Sequence, residues 1–444
     1  MTTLLVRGER VMLPGGERPA AIHVQDGRIV GIGDHGDRVA GVPVLDAGPL
    51  VILPGLVDTH VHINDPGRAD WEGFTHATQS AAAGGITTLV DMPLNSIPST
   101  TTVAGLAAKR RAADGQCFVD VGFWGGVVPG NAADLEPLAQ AGVLGYKCFL
   151  SPSGVDEFAH VTEADLRRAM PILARLELPL LVHAEMPALL REPAAGGDPR
   201  RYLTWLDSRP AASEQAAIEL MIRLAREFGT RVHIVHLASA DALPALAAAR
   251  DGGVQVTVET CPHYLTFCAE EIADGATALK CAPPIRGRAH RERLWKALES
   301  GLIDLVATDH SPAPLALKHI DDGNFLEAWG GVASLQISLA VVASGARARN
   351  IPAPHLSQWL AAAPARLAGL SGVKGAIAVG LDADFAFWDP DQVTVVDARA
   401  LYHRHPVTPY DGARLRGHVV MTILRGQVIF DDGKRINGVH GRAL

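Results

Sequence analysis

LVILPGLVDTHVH, residues 50–62, is a run of β-branched and apolar residues that closes on His60 and His62. A run this apolar reads as a strand buried on both faces, the kind found in parallel sheets. Seven more such runs follow, separated by Ala/Leu/Arg/Glu-rich helical stretches: ITTLVDMP from Ile86, CFVDVGFW from Cys117, VLGYKCFL from Val143, LPLLVHAE from Leu178, VHIVHLAS from Val232, VQVTVET from Val254 and IDLVATDH from Ile303. Eight βα units over residues 52–371 predict an α/β fold of the TIM (β/α)8 barrel type. The flanks differ in texture. Residues 1–51 and 372–444 hold short alternating strands broken by Gly-Gly and Asp-Gly turns, which predict a small composite β-sandwich domain made from both chain ends.

Composition narrows the class. The 444 residues are 48% hydrophobic and 20% charged, which is a globular balance with a large core to bury. The formal net charge of −8 and the lack of a Lys/Arg block argue against a nucleic-acid partner. No apolar run reaches the roughly 18 residues of a membrane span, and the start carries no cleavage pattern, so a soluble cytoplasmic protein is expected. Cys117, Cys148, Cys261, Cys268 and Cys281 are spread out with no C-x-x-C pair, so neither a disulfide framework nor a zinc ribbon is indicated.

The chemistry gathers at strand ends. His60 and His62 are two apart, so strand alternation puts both rings on one face. Alone, an H-x-H pair is a weak sign. Lys147, His183, His236 and Asp309 also fall at the ends of predicted strands four, five, six and eight, the end of a TIM barrel where active sites are built. Four histidines and a carboxylate form an N/O donor set suited to Zn²⁺ and related divalent ions, and the inventory is rich for one metal. Two metals about 3.5–4 Å apart are a common hydrolytic arrangement. A protonated Lys147 would repel both, so it must be displaced, deprotonated or chemically changed.

Read together, GLVDTHVH (55–62), GYKCFLSPSGVDEF (145–158), LVHAE (181–185), VHLAS (235–239) and ATDHSP (307–312) resemble the cyclic amidohydrolases over nearly the whole chain. The resemblance implies two divalent metal ions, zinc with Mn or Co as alternatives, held by His60, His62, Lys147, His183, His236 and Asp309. It implies that Lys147 bears a CO2-derived carbamate, that a cyclic amide C–N bond is hydrolysed, and that the chain forms a homo-oligomer, a tetramer included. Three branches of the family compete. Dihydroorotases carry an Arg two residues after H-x-H and an M-P-N-T segment for the substrate carboxylate; here Asn64 and MPLN (92–95) stand there, so that cation is missing. Hydantoinases and dihydropyrimidinases place a Tyr five residues after the metal lysine, where this chain has Pro152, which cannot donate. VDMPLNSIPST (90–100), ETCPHYL (259–265), KCAPPIR (280–286) and AWGGVASLQ (328–336) are instead similar to the allantoinase branch. Ala282 departs from the Ser that branch often has. The expected activity is conversion of allantoin to allantoate in purine and ureide catabolism, with a hydantoinase-type enzyme as the alternative, and dihydroorotase or a catalytically silent binding homologue further behind.

Asp309 is the expected acid–base group as well as a ligand. Asn95, Cys281, Ser311 and the backbone of Gly330 are the expected substrate contacts, because a small uncharged ureide needs hydrogen bonds and no strong counter-charge. Other histidines are assigned to support. His233, three before His236, is expected to face away from the site, His263 and His310 to buttress it, and His76, His160, His403 and His405 to lie at solvent or an interface.

Overall fold

The computed structural model describes residues 3–193, 196–434 and 438–444. Strands β1 (Thr3–Leu13), β2 (Gly16–Gln25), β3 (Arg28–Gly33), β4 (Val44–Asp46) and β5 (Val51–Pro54) precede the barrel. The barrel strands are β6 (Leu56–Val61), β7 (Ile86–Asp91), β8 (Asp120–Phe123), β10 (Tyr146–Phe149), β11 (Leu180–His183), β12 (Val232–Ile234), β13 (Val256–Thr260) and β14 (Leu305–Val306), with β9 (Gly125–Gly126) a short spur paired to β10. Then come β15 (Phe385–Val395), β16 (Arg414–Leu424) and β17 (Gln427–Asp431).

All ladders among the barrel strands are parallel, in chain order. The ring closes through a Val61–His310 bridge, with His62 N–H donating to the His310 carbonyl at 2.9 Å. On the other side Leu144 N–H donates to the Phe123 carbonyl at 3.0 Å. The chain is therefore a TIM barrel. Helices between the strands are set by local signals. Glu163–Leu176 starts at a Thr162/Asp165 capping box, and Ala211–Phe228 stops at Gly229, whose φ of 69° suits a residue without a Cβ.

The first run differs from its sequence reading. Residues 50–62 form two strands, because β5 pairs with β1 and β15 while β6 pairs with β7. Gly55 is the point of separation: a Cβ there would lie 2.3 Å from Thr87 Oγ1 and 2.8 Å from the Asp384 Cβ. The terminal sheet runs β17-β16-β15-β5-β1-β2-β3, with β4 also on β1, and folds as a small sandwich. Its core joins Val6, Ile22 and Ile52 from one end to Phe385, Phe387 and Ile423 from the other.

One buried charge cluster ties this sheet to the barrel. Lys374 Nζ donates to Asp120 on β8 at 2.8 Å and to Asp384 at 2.7 Å, and lies 3.0 Å from Asp382. Arg425 adds a second cation on Asp120. Among the described residues no helix is long and apolar enough to cross a membrane.

Candidate metal and substrate site

Strand register puts Lys147, Leu181, His233 and Thr257 side by side, since each pairs with the next across β10 to β13. Residues paired this way share a face. Leu181 packs with Val90, Phe149, Val235 and Leu305 in one buried cluster, so this face looks into the barrel, and the next inward position on β11 is His183. The structure brings together all six sequence-predicted ligands at this end. His60 Nε2 and His62 Nε2 lie 3.1 and 3.3 Å from Asp309 Oδ1, and His183 Nδ1 lies 3.0 Å from His236 Nε2. The His60 ring sits 5.5 Å from His62 and 5.4 Å from His236, and the His183 ring 4.7 Å from His236.

Two of these ligands need backbone that strand periodicity does not foresee. His236 and Asp309 lie beyond the last residues of β12 and β14, with φ of 42° and 48°. Asn64 (66°) and Asn95 (65°) do the same at neighbouring strand ends. Left-handed non-glycine residues cost free energy and gather where function over-determines the backbone. The kink at His236 overturns one expectation. With alternation broken there, His233 also faces inward, and its Nε2 donates to Glu259 Oε2 at 3.0 Å.

Glu259 and Glu185 were not foreseen as site residues. Glu259 Oε1 accepts hydrogen bonds from His60 Nδ1–H and from the His236 backbone N–H, the latter at 3.2 Å, so one carboxylate orients two of the six. Burial alone would raise its pKa, yet His60 and His233 hold it down at about 2. Glu185 bonds His183 Nε2 at 2.7 Å and is clamped by Arg209, also at 2.7 Å. Each acid fixes the tautomer of its histidine and aims the other ring nitrogen into the site. The signal available in sequence was the strand-end position of each Glu, at 259 on β13 and two residues after His183.

Electrostatics follow burial and pairing. His60 is pulled down by burial but raised overall to about 9 by Asp309 and Glu259. Asp309 is buried, which opposes ionisation, and the histidines still hold it well below the usual carboxylate range. Burial pulls Lys147 down to about 8. Its Nζ, like His236 Nδ1, has no hydrogen-bond partner among the described residues, although it lies 4.9 Å from the Phe149 ring centre. An orphaned buried amine beside converging imidazoles and a carboxylate suits a site completed by cations and a modified lysine. Burial favours the neutral amine, the form that adds CO2.

Above this floor is a cavity of about 250 Å³ lined by His60, His62, His183, His236 and Asp309. Asn95, Cys281, Ser311 and Gly330, the sequence-predicted substrate contacts, all line it, as do Pro152 and Ala282. Asn95 Nδ2 is 3.4 Å from His62 Nδ1, Ser311 Oγ donates to Asp309 Oδ1 at 3.3 Å, and the Asn95 Oδ1 has no partner among the described residues. Trp205 and Trp329 form unforeseen aromatic walls. At the rim Arg68 pairs with Glu157 and donates to the Asn95 carbonyl at 2.7 Å, and Trp71 meets Trp329 edge to face at 4.9 Å.

The remaining histidines divide. His310 Nε2 faces Glu72 at 3.3 Å while its Nδ1 accepts the Ser334 and Leu335 N–H groups, which is support as expected. His263 is buried beside Cys261 and Asp309, and neither ring nitrogen has a partner among the described residues. His403, expected at the surface, is instead buried against the His310 ring at 4.8 Å. The C-terminal sheet brings it there, a long-range packing that local texture does not encode. All five cysteines are free and buried.

A TIM barrel with this constellation at its strand ends is an amidohydrolase architecture. Residues 51–429 match the amidohydrolase family model, and the chain belongs to that family. Among similar proteins, it is 51% identical to the allantoinase of Streptomyces avermitilis, covering 97% of this chain and 96% of the relative. Identity to the allantoinase of Arabidopsis thaliana is 43%, over 98% and 90% of the two chains. Among solved structures, the L-hydantoinase (dihydropyrimidinase) from Arthrobacter aurescens superposes with a TM-score of 0.94 at 30% identity, covering 100% of this chain and 99% of the other.

Proposed function

We propose that this chain is an allantoinase, hydrolysing the hydantoin-ring amide of allantoin to allantoate in ureide breakdown. The observation that carries the reading is the gathering of His60, His62, His183, His236 and Asp309 with the hydrogen-bonding groups of Asn95, Ser311 and Gly330 around one cavity of about 250 Å³, in a chain 51% identical to an allantoinase. A cavity this small suits a compact ureide. No carboxylate-binding Arg stands at 64, and Pro152 supplies no hydroxyl, which favours allantoin over dihydroorotate and over hydantoinase substrates.

In this proposal His60, His62, His183, His236, Asp309 and a carboxylated Lys147 hold two divalent ions, zinc foremost. When bound, such ions supply Lewis-acid polarisation of the scissile carbonyl and make a water acidic enough to attack at neutral pH. Glu259 and Glu185 hold the imidazoles in the tautomers that leave the donor atoms free. Asp309 accepts the proton of the attacking water on its carboxylate and returns it to the leaving ring nitrogen, so water is added across the C–N bond. Asn95, Ser311 and the Gly330 backbone orient the ureide. The same reading has the enzyme a cytoplasmic homo-oligomer, with the small domain expected at residues 1–51 and 372–444 carried on to Pro54 by β5, beside the barrel.

The test is a substrate panel. Protein grown with zinc or manganese and bicarbonate should carry about two metals per chain and turn over allantoin in preference to hydantoin, dihydrouracil and dihydroorotate. Preference for hydantoin or dihydrouracil would move the assignment to the hydantoinase branch, and absence of both metal and turnover would end the enzyme reading.

A further inference from the structure

Two lysines beside the cavity are buried without a carboxylate. Lys318, 3% exposed, donates from Nζ to the carbonyls of Trp329 at 2.9 Å and Gly331 at 2.8 Å. Lys280, 5% exposed, donates to the carbonyls of Leu326 at 3.1 Å and Ala328 at 2.5 Å, and its Nζ sits 4.4 Å from the Trp205 ring centre. Among the described residues neither forms an ion pair. Burial pulls Lys280 down to about 8 and Lys318 to about 7.

An ammonium held only by carbonyls is a costly way to fill a protein interior, and an apolar side chain would be cheaper. What this arrangement achieves is geometric. Four of the six carbonyls in residues 326–331 accept hydrogen bonds from the two amino groups. The N–H groups of Ala328, Trp329 and Gly331 are committed to Asn324, Leu317 and Lys280. Gly330 alone lies between the clamps with its backbone groups unpartnered among the described residues, and it lines the cavity. Gly331 packs closely on Ser311: its φ is 140° and an added Cβ would lie 2.3 Å from the Ser311 carbonyl oxygen, so only glycine fits there.

We propose that Lys280 and Lys318 are positioning residues for substrate: they hold loop 326–331 so that the Gly330 peptide and the Trp329 indole face the bound ureide. The proposal rests on the allantoinase reading for the identity of the ligand. Both residues act through the loop. Their loss weakens binding of ground state and transition state alike, which raises KM more than it lowers kcat.

The experiment compares wild type with Lys318→Met, which keeps length and removes the donors, and Lys318→Gln, which restores one donor group. Amide hydrogen exchange over 326–331, metal content, and KM and kcat for allantoin are measured on each holoenzyme. The expected result for Lys318→Met is about tenfold faster loop exchange and a KM raised about tenfold, with kcat changed less than about threefold and metal retained. Lys318→Gln should fall between. Lys280→Met carries the same test if Lys318→Met does not fold. A folded Met variant with unchanged exchange and KM overturns the proposal, as does an equal fall in kcat with loss of metal. Lack of allantoin turnover by wild type would instead refute the substrate reading, and the exchange rates would then decide the role of the lysines in holding the loop.

Discussion

Replacing Glu259 by Gln isolates the contribution of the carboxylate behind the ligands. Its two oxygens serve three donors: His60 Nδ1–H and the His236 N–H on Oε1, and His233 Nε2–H on Oε2. An amide offers one acceptor oxygen and one NH2, so in either orientation a donor meets a donor. The least costly arrangement turns the NH2 to His233, which can shift its proton to Nδ1 and donate to Thr257 Oγ1, 2.8 Å away. His60 then keeps a neutral acceptor where it had an anion, and its metal-facing nitrogen becomes less basic. Loss of such a partner typically weakens metal binding 10- to 100-fold, which is about 1.4–2.7 kcal/mol. Because the residue is fully buried, folding stability should also fall, by roughly 1–3 kcal/mol for a charge-assisted bond replaced by a neutral one. The assay is competition for the bound metal against a graded chelator series, alongside kcat/KM for allantoin and a thermal unfolding control. Wild-type metal retention and turnover in a folded Glu259→Gln protein would refute the claim that this carboxylate tunes the site.

Asp309→Asn should retain metal but lose at least about 100-fold in kcat, the usual scale of a missing acid–base group, and near wild-type turnover would remove Asp309 from proton transfer. Asn95→Ala removes one neutral hydrogen bond, worth about 1 kcal/mol. It should raise KM for allantoin about fivefold, and an unchanged KM would exclude the contact. Lys374→Met leaves Asp120, Asp382 and Asp384 buried around an absent cation; a loss of about 3–5 kcal/mol is expected, read as a lower denaturant midpoint, and an unshifted midpoint would show that Arg425 suffices.

Much of this protein is legible along the chain because its signals are local. A strand buried on both faces must be apolar throughout, so the barrel strands stood out as runs, and a functional side chain at a strand end interrupts such a run visibly. That is why His60, His62, Lys147, His183, His236 and Asp309 stand out along the chain as candidate ligands, and the barrel brings them to one end. The sequence could not show that residues 50–62 divide between two sheets, because the division lies in the partners, β1 and β15 for β5 against β7 for β6, and β15 is more than 300 residues away.

Neighbours in space also settled what aims the ligands. Glu259 and Glu185 are ordinary strand-end acids until β13 and β11 place them behind His60 and His183. The inward turn of His233 depended on the left-handed backbone at His236, which breaks the alternation that any periodic reading assumes. His403 travelled from a terminal stretch into the support of His310 only because the two chain ends fold back over the barrel. Residue identity and periodicity thus determined the fold and the donor set, since those depend on each side chain and its near neighbours. Tautomer, orientation and the pinned wall at 326–331 were decided only in the tertiary structure, because hydrogen bonds between residues far apart in the chain exist only once the barrel has closed.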